Sequence, residues 1–150
     1  MLLIRTMRDT DVPFIVSSWL MSNYARMSGK RPVKSLYYRA HQLLIKQALD
    51  QDATLIACNK SDEDQIIGWI NFGDNYLNYV YVKETFEGLG VCTELIKQTG
   101  LPEINFICTH YTRTFDLRHS TKLNIKYNPY LFTNRGLLHE NKSDNVSTRD

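Results

Sequence analysis

Residues 79–96 read Tyr79-Val80-Tyr81-Val82-Lys83-Glu84-Thr85-Phe86-Glu87-Gly88-Leu89-Gly90-Val91-Cys92-Thr93-Glu94-Leu95-Ile96. The stretch opens as β-branched and aromatic residues suited to a strand, and Gly88-Leu89-Gly90 breaks it. Val91, Leu95 and Ile96 then restart the apolar pattern at helical spacing. A strand, a glycine-containing loop and a helix start together make an anion site. The first amides of a helix have no intrahelical acceptor, the helix dipole is positive there, and glycines let an oxyanion approach the backbone without meeting a Cβ. A pyrophosphate is the natural guest. A G-x-G pair alone is more often a turn, and its place between a strand and an amphipathic helix gives it weight.

Upstream, three strand-like runs lead into this segment: Ala53 to Cys58, Ile66 to Phe72 and Tyr76 to Val82. The polar turn Asn59 to Asp64 and the turn Gly73-Asp74-Asn75 separate them, which predicts a three-strand antiparallel meander. Before the meander, Leu2 to Met7 reads as a strand, with Thr10 or Asp11 as a helix cap. Val12, Ile15, Val16, Trp19 and Leu20 then fall on one helical face, with Pro13 in the first turn. The basic stretch Ser28-Gly29-Lys30-Arg31-Pro32 precedes a second helix, whose buried face is read through Leu36, Ala40, Leu43, Leu44 and Gln47-Ala48.

Downstream, Gly100-Leu101-Pro102 ends the helix begun at Val91, and Ile104 to Cys108 reads as a strand. Because a helix separates it from the strand before, the two are expected to lie parallel with a right-handed crossover. The order β-α-α-β-β-β-α-β is an α/β fold with a mixed, mostly antiparallel sheet flanked by helices. A short irregular C-terminal part follows. There Thr112 to Thr121 reads as a short helix, and Leu123 to Phe132 as a strand interrupted by Pro129. The expected division is one domain over residues 1–137 and a polar, flexible tail over 138–150.

Composition excludes several classes. The chain has 150 residues, 43% apolar and 23% charged, as expected of one globular core. No apolar run reaches the roughly 20 residues of a membrane span, and the charge in Met1-Leu2-Leu3-Ile4-Arg5 comes too early for a secretion signal, so a soluble cytoplasmic protein is expected. Cys58, Cys92 and Cys108 form no CxxC pair or Cys/His cluster, so neither a disulfide framework nor a metal site is indicated. A net charge of +2 does not indicate a nucleic-acid partner.

The central segment resembles the signature of the GNAT acetyltransferases, a valine, four residues, then Q/R-x-x-G-x-G/A. Here it runs from Val82 to Glu87-Gly88-Leu89-Gly90-Val91-Cys92, with Glu87 in place of Gln or Arg and Cys92 in place of Gly or Ala. The resemblance extends over about residues 2 to 110 through Ile4-Arg5, Asp11, the two helices and the meander. It implies the GNAT fold and acetyl-CoA as co-substrate. The backbone of Val80, Tyr81 and Val82 would pair with the pantetheine arm, and amides of Glu87, Gly88, Leu89, Gly90, Val91, Cys92 and Thr93 would hold the pyrophosphate. Repulsion between Glu87 and a phosphate, about 1 kcal/mol at 4 Å in water, stays modest if the carboxylate points to solvent, as expected here.

The resemblance also implies a tyrosine that protonates the leaving thiolate. Tyr127 and Tyr130 are at suitable distances, and Tyr127 is preferred. The plain alternative for either is a packed aromatic with its hydroxyl at the surface. No carboxylate occupies the base position, where Tyr76 stands, and the base is left unassigned. Cys92 could be nucleophilic at a helix start, but reads better as a small residue filling a tight position. His41 and His110 have no partner nearby in sequence and receive no role. Lys30, Arg31 and Lys34 either attract an acidic acceptor or keep a surface loop solvated.

The leading reading is an N-acetyltransferase in which an amine, on a small molecule or a protein, attacks acetyl-CoA directly in a ternary complex. The rivals are a GNAT-fold binding module without turnover and an interaction protein that blocks a macromolecular target, using the tyrosine-rich strand edge around Tyr76 to Tyr81 and the basic loop as contact surface. A homodimer is left open.

Overall fold

In the computed structural model, residues 1–27, 29–102, 105–110 and 125–133 are described. Strand β1 (Leu2–Thr6) leads through a 3-10 turn at Asp9–Asp11 into helices α1 (Val12–Arg26) and α2 (Lys34–Gln51). The meander follows as β2 (Ala53–Asn59), β3 (Asp62–Phe72) and β4 (Tyr76–Val82), then helix α3 (Val91–Gln98) and strand β5 (Ile107–Cys108). Strand β6 (Lys126–Tyr127) and helix α4 (Tyr130–Thr133) complete the described elements. The sheet has six strands in the order β1-β2-β3-β4-β5-β6. Its first four pair antiparallel, while β5 lies parallel to β4 and β6 parallel to β5.

Alternation along the strands, reset where the register shifts at Ala57/Cys58 and at Asn71/Phe72, divides the core into two layers. Ile56, Cys58, Trp69 and Tyr79 face α1 and α2, where they meet Ile15, Trp19, Leu20, Ile45 and Leu49. Ala57, Ile67, Ile70 and Leu77 face the other way, against Val91 and Leu95 of α3 and against Leu101 and Phe106. With both faces covered, residues 66–71 of β3 are buried without interruption, as expected of a strand enclosed by helices on two sides. The centre of the first layer is aromatic: Trp19 lies 5.2 Å from Trp69 and 5.4 Å from Tyr79, ring centre to ring centre.

Several expectations change. On α2 the buried residues are Tyr37, Ile45, Ala48 and Leu49, while Leu36 and Leu43 are 59% and 63% exposed and Ala40 is exposed. The first turns of the helix dock through an aromatic ring, Tyr37 lying 5.1 Å from Tyr24 of α1, and Ile45, Ala48 and Leu49 carry the rest of the buried face.

Asp11 does not cap α1 with its side chain. Its carboxylate turns back, accepting the Arg8 amide at 2.7 Å and two hydrogen bonds from the Arg5 guanidinium at 2.7 and 3.0 Å. Arg5 also donates to the Glu63 carbonyl at 2.9 Å, which ties β1 and the helix entry to β3. Of the strand expected over Ile104 to Cys108, Ile107–Cys108 are in strand and Asn105 and Phe106 are not, while Ile104 lies outside the described residues. Of the one expected over Leu123 to Phe132, Lys126–Tyr127 are in strand and the chain turns at Pro129 into α4, while residues 123 and 124 lie outside the described residues. The helix expected over Thr112 to Thr121 and the tail over 138–150 lie outside the described residues.

Candidate functional site

Strand β5 pairs with β4 only beside Tyr76 and Leu77, and the Thr109 amide adds one bond to the Leu77 carbonyl at 2.9 Å. Beyond that point no strand of the described residues covers this edge of β4. The register places Tyr81 opposite Trp69, and the Lys83 amide donates to Ile67 at 2.9 Å. Alternation along an antiparallel strand therefore turns the amides and carbonyls of Val80 and Val82 away from β3, into a gap that no strand of the described residues fills. The gap offers strand-like hydrogen bonding to an extended guest.

At the end of β4, a 3-10 turn at Glu84–Phe86 brings the chain to the glycine loop. Gly88 and Gly90 have φ of 79° and 83°, left-handed values that strain any residue bearing a Cβ. A Cβ at either would meet nothing within 4 Å, so conformation, not crowding, demands glycine there. Gly90 caps α3, and the helical ladder begins with the Glu94 amide donating to the Gly90 carbonyl at 3.0 Å. The amides of Val91, Cys92 and Thr93 precede that bond and leave the helix at its positive end. Glu87 does not point freely to solvent. Its carboxylate lies 3.1 Å from the Arg26 guanidinium at the end of α1, so a cation stands beside the loop and offsets the acid. Leu89 is 72% exposed at the loop tip.

On the α1 and α2 side, a cavity of about 540 Å³ opens between those helices and the strand ends. Lys30, His41, Thr109, His110, Tyr127 and Phe132 are among its lining residues, and none of the described lining residues is a carboxylate. Tyr127 is 55% exposed there, and partial burial raises its hydroxyl pKa.

The least expected feature is a polar chain running from this cavity into the core. His41 Nε2 and His110 Nε2 are 3.0 Å apart, though 69 residues separate them in sequence. His110 Nδ1 is 3.0 Å from Thr109 Oγ1, which is 2.9 Å from Asn78 Oδ1. Asn78 Nδ2 donates at 2.7 Å to both Asp52 Oδ2 and Asn71 Oδ1. Asp52 Oδ1 accepts from the Tyr76 hydroxyl at 2.8 Å. Asn71 Nδ2 donates to the carbonyls of Ala48 and Ala53 and to Thr54 Oγ1.

Carbonyl oxygens only accept, and this fixes every proton in the chain. Asn71 must turn its Nδ2 to them and its Oδ1 to Asn78, so Asn78 donates with Nδ2 and accepts with Oδ1. Thr109 then donates to Asn78, and so accepts from His110. His110 carries its proton on Nδ1 and presents the Nε2 lone pair, to which His41 donates Nε2–H. Rings enclose the pair: Trp19, Tyr79 and Phe132 contact His110 at 5.4, 5.6 and 4.5 Å between ring centres, and Phe132 contacts His41 at 5.2 Å. Burial lowers the His41 pKa to about 4 and raises that of Tyr79 to about 12.

The β4 edge and the glycine loop are contiguous in the sequence, so their neighbourhood follows from the chain itself. Sequence reasoning missed the histidine pair, and only the burial of a histidine on the docked face of α2 could have signalled it.

The sequence matches no protein-family model, nor that of any curated protein. The fold does have likenesses among solved structures. YjaB from Escherichia coli, in its apo form, superposes with a TM-score of 0.51 at 19% identity, covering 69% of this chain and 68% of that one. A candidate acetyl transferase from Pyrococcus furiosus gives 0.52 at 16% identity, over 67% and 72% of the two chains. A GCN5-related N-acetyltransferase from Rhodopseudomonas palustris gives 0.50 at 18% identity, over 65% of this chain and 62% of its own length. Together with the element order, the parallel β4–β5 pair and the glycine loop, these likenesses show that the chain has the GNAT fold.

Proposed function

We propose that the chain is an acetyl-CoA-dependent N-acetyltransferase. The observation that carries this reading is that, among the described residues, no strand lies against β4 beyond Leu77, beside the left-handed glycine loop. It leaves the Val80 and Val82 backbone for a pantetheine arm and the start of α3 for a pyrophosphate. Glu87, Gly88, Leu89, Gly90, Val91, Cys92 and Thr93 supply the loop amides, and Tyr81 anchors the strand by packing on Trp69 and Phe14. Arg26, paired with Glu87, offsets the carboxylate beside the phosphates.

The acceptor enters from the other side of the sheet, through the cavity lined by His41, Thr109, His110 and Tyr127. Holding amine and thioester in attack geometry is the main source of rate in such a transfer. The amine attacks the carbonyl carbon directly, the C–N bond forms, and the C–S bond breaks. Tyr127 gives its proton to the departing sulfur. Its raised pKa keeps the hydroxyl protonated and ready to donate at neutral pH. With Lys30 in the wall and no carboxylate among the described lining residues, the cavity suits an amine that also bears an anionic group.

The test is release of free thiol from acetyl-CoA in the presence of a panel of primary amines, including amino acids, with the Tyr127→Phe variant alongside. Amine-dependent release that falls at least tenfold in the variant supports both the reaction and the role of Tyr127. Acetyl-CoA binding without release for any amine would instead support a binding module.

A further inference from the structure

We propose that His110 is the general base of this transfer, taking the acceptor's proton on Nε2, and that Thr109 and Asn78 hold it in the tautomer that can do so. The inference rests on the acetyltransferase reading and supplies the base that reading lacks.

A base needs a lone pair facing the substrate and a fixed proton position. The buried amides provide the second. Asn71 is fully buried and anchored on two backbone carbonyls. Its orientation passes through Asn78, 1% exposed, and Thr109, 3% exposed, to His110 Nδ1. The cavity provides the first, since His110 and His41 both line it and the Nε2 lone pair is directed at the His41 ring in its wall. In the free protein, His41 Nε2–H fills that acceptor. An amine N–H replaces it when the acceptor is bound.

As the C–N bond forms, the N–H bond breaks and its proton goes to His110 Nε2. The C–S electron pair leaves with sulfur, which takes the Tyr127 proton. The imidazolium then returns a proton to the tyrosinate or to solvent, so amine and thioester become amide and free thiol. The new positive charge is met by Thr109 Oγ1 and, through Asn78, by the Asp52 carboxylate. Around the pair, α1 presents Trp19, α2 presents Tyr37 and His41, β4 presents Tyr79, β6 presents Tyr127 and α4 presents Phe132. Lys30, in the cavity wall, is the cation on that side. No carboxylate among the described residues lines the cavity to compete for the proton.

The experiment compares the native protein with His110→Ala and Thr109→Val by three readouts: acetyl-CoA binding by calorimetry, thiol release with the best amine of the panel, and 15N NMR of the histidine rings. The expected result is unchanged acetyl-CoA binding in His110→Ala with release reduced about 100-fold or more, restored in part by added imidazole. The native spectrum should show His110 protonated on Nδ1, and Thr109→Val should lose that preference. Release within threefold of native in His110→Ala, no rescue by imidazole, or a native His110 protonated on Nε2 overturns the proposal while leaving the acetyltransferase reading intact. Acetyl-CoA binding with no transfer to any amine overturns it as well. Failure of the native protein to bind acetyl-CoA overturns the reading on which it rests.

Discussion

Replacing Asn78 with Asp exchanges one NH2 for an oxygen and leaves the shape of the side chain unchanged, so it probes the proton order of the buried chain directly. Asn78 Nδ2 lies 2.7 Å from Asp52 Oδ2 and 2.7 Å from Asn71 Oδ1, and the residue is 1% exposed. In Asn78→Asp, an acceptor would face two acceptors. If the new carboxyl ionises, two like charges about 4 Å apart repel by about 4 kcal/mol at the effective dielectric of a protein. If it stays protonated to restore the donor, holding a group of ordinary pKa near 3.9 in that form at pH 7 costs about 4 kcal/mol, and about 1.5 kcal/mol at pH 5.

Both routes give a loss of about 4 kcal/mol at neutral pH, or a fall in Tm on the order of 10 °C. The sign of the pH dependence follows. The folded state raises the pKa of the new carboxyl above its unfolded value, so folding stability relative to native is greatest in acid and declines as pH rises above about 4. Urea denaturation at pH 5 and pH 7 measures this. A variant within 0.5 kcal/mol of native at pH 7, or equally destabilised at both values, would refute the assigned proton order.

Three further outcomes are expected. Asp11→Asn, which strands the Arg5 guanidinium in a buried site, should cost about 3 kcal/mol by urea denaturation. Burial pushes the Asp11 pKa up, but the hydrogen bonds from Arg5 and the Arg8 amide outweigh it and hold the pKa below the usual value, so native stability should fall in acid as that carboxylate protonates and the variant should lack this loss. His41, at about 4, should stay neutral in an NMR titration until well below the usual histidine range. Because the unfolded state takes up that proton first, stability should decline as pH falls from about 6.5 to 4, by roughly 3 kcal/mol, and His41→Gln should flatten the slope. Leu36→Lys and Leu43→Lys, on the exposed side of α2, should each change stability by less than about 0.5 kcal/mol; a loss of 2 kcal/mol would show that the aliphatic face is the docked one.

Local signals carried most of the fold. The meander was legible because each strand carries a β-branched or aromatic run next to a polar turn, although β3 begins at Asp62, inside the stretch Asn59 to Asp64 read as a turn. The α3 start was legible because Gly88 and Gly90 stand at the two positions where the backbone turns left-handed. The face of α2 was not, because Tyr37 and His41 bury their rings through contacts with Asn23, His110 and Phe132, partners set only by the packed sheet. The Arg5–Asp11 pair lies six residues apart and is decided by a turn that brings the acid back on β1. For the site, the glycine loop is one contiguous segment and could be read as such. The polar chain joins residues 41, 52, 71, 78, 109 and 110 from three elements and two connections, and the strand register and α2 docking bring them together. The Glu87 side chain was misread for the same reason, since Arg26 reaches it from the far end of α1.

The central claim is that the β4 edge and the glycine loop bind acetyl-CoA. The most direct measurement is calorimetric titration of acetyl-CoA into the native protein and into Gly90→Trp, whose side chain would force a strained left-handed residue into the loop mouth. The account predicts one-to-one binding by the native protein and its loss in a variant that remains folded by circular dichroism. No heat of binding with the native protein, or equal binding by both, would contradict it.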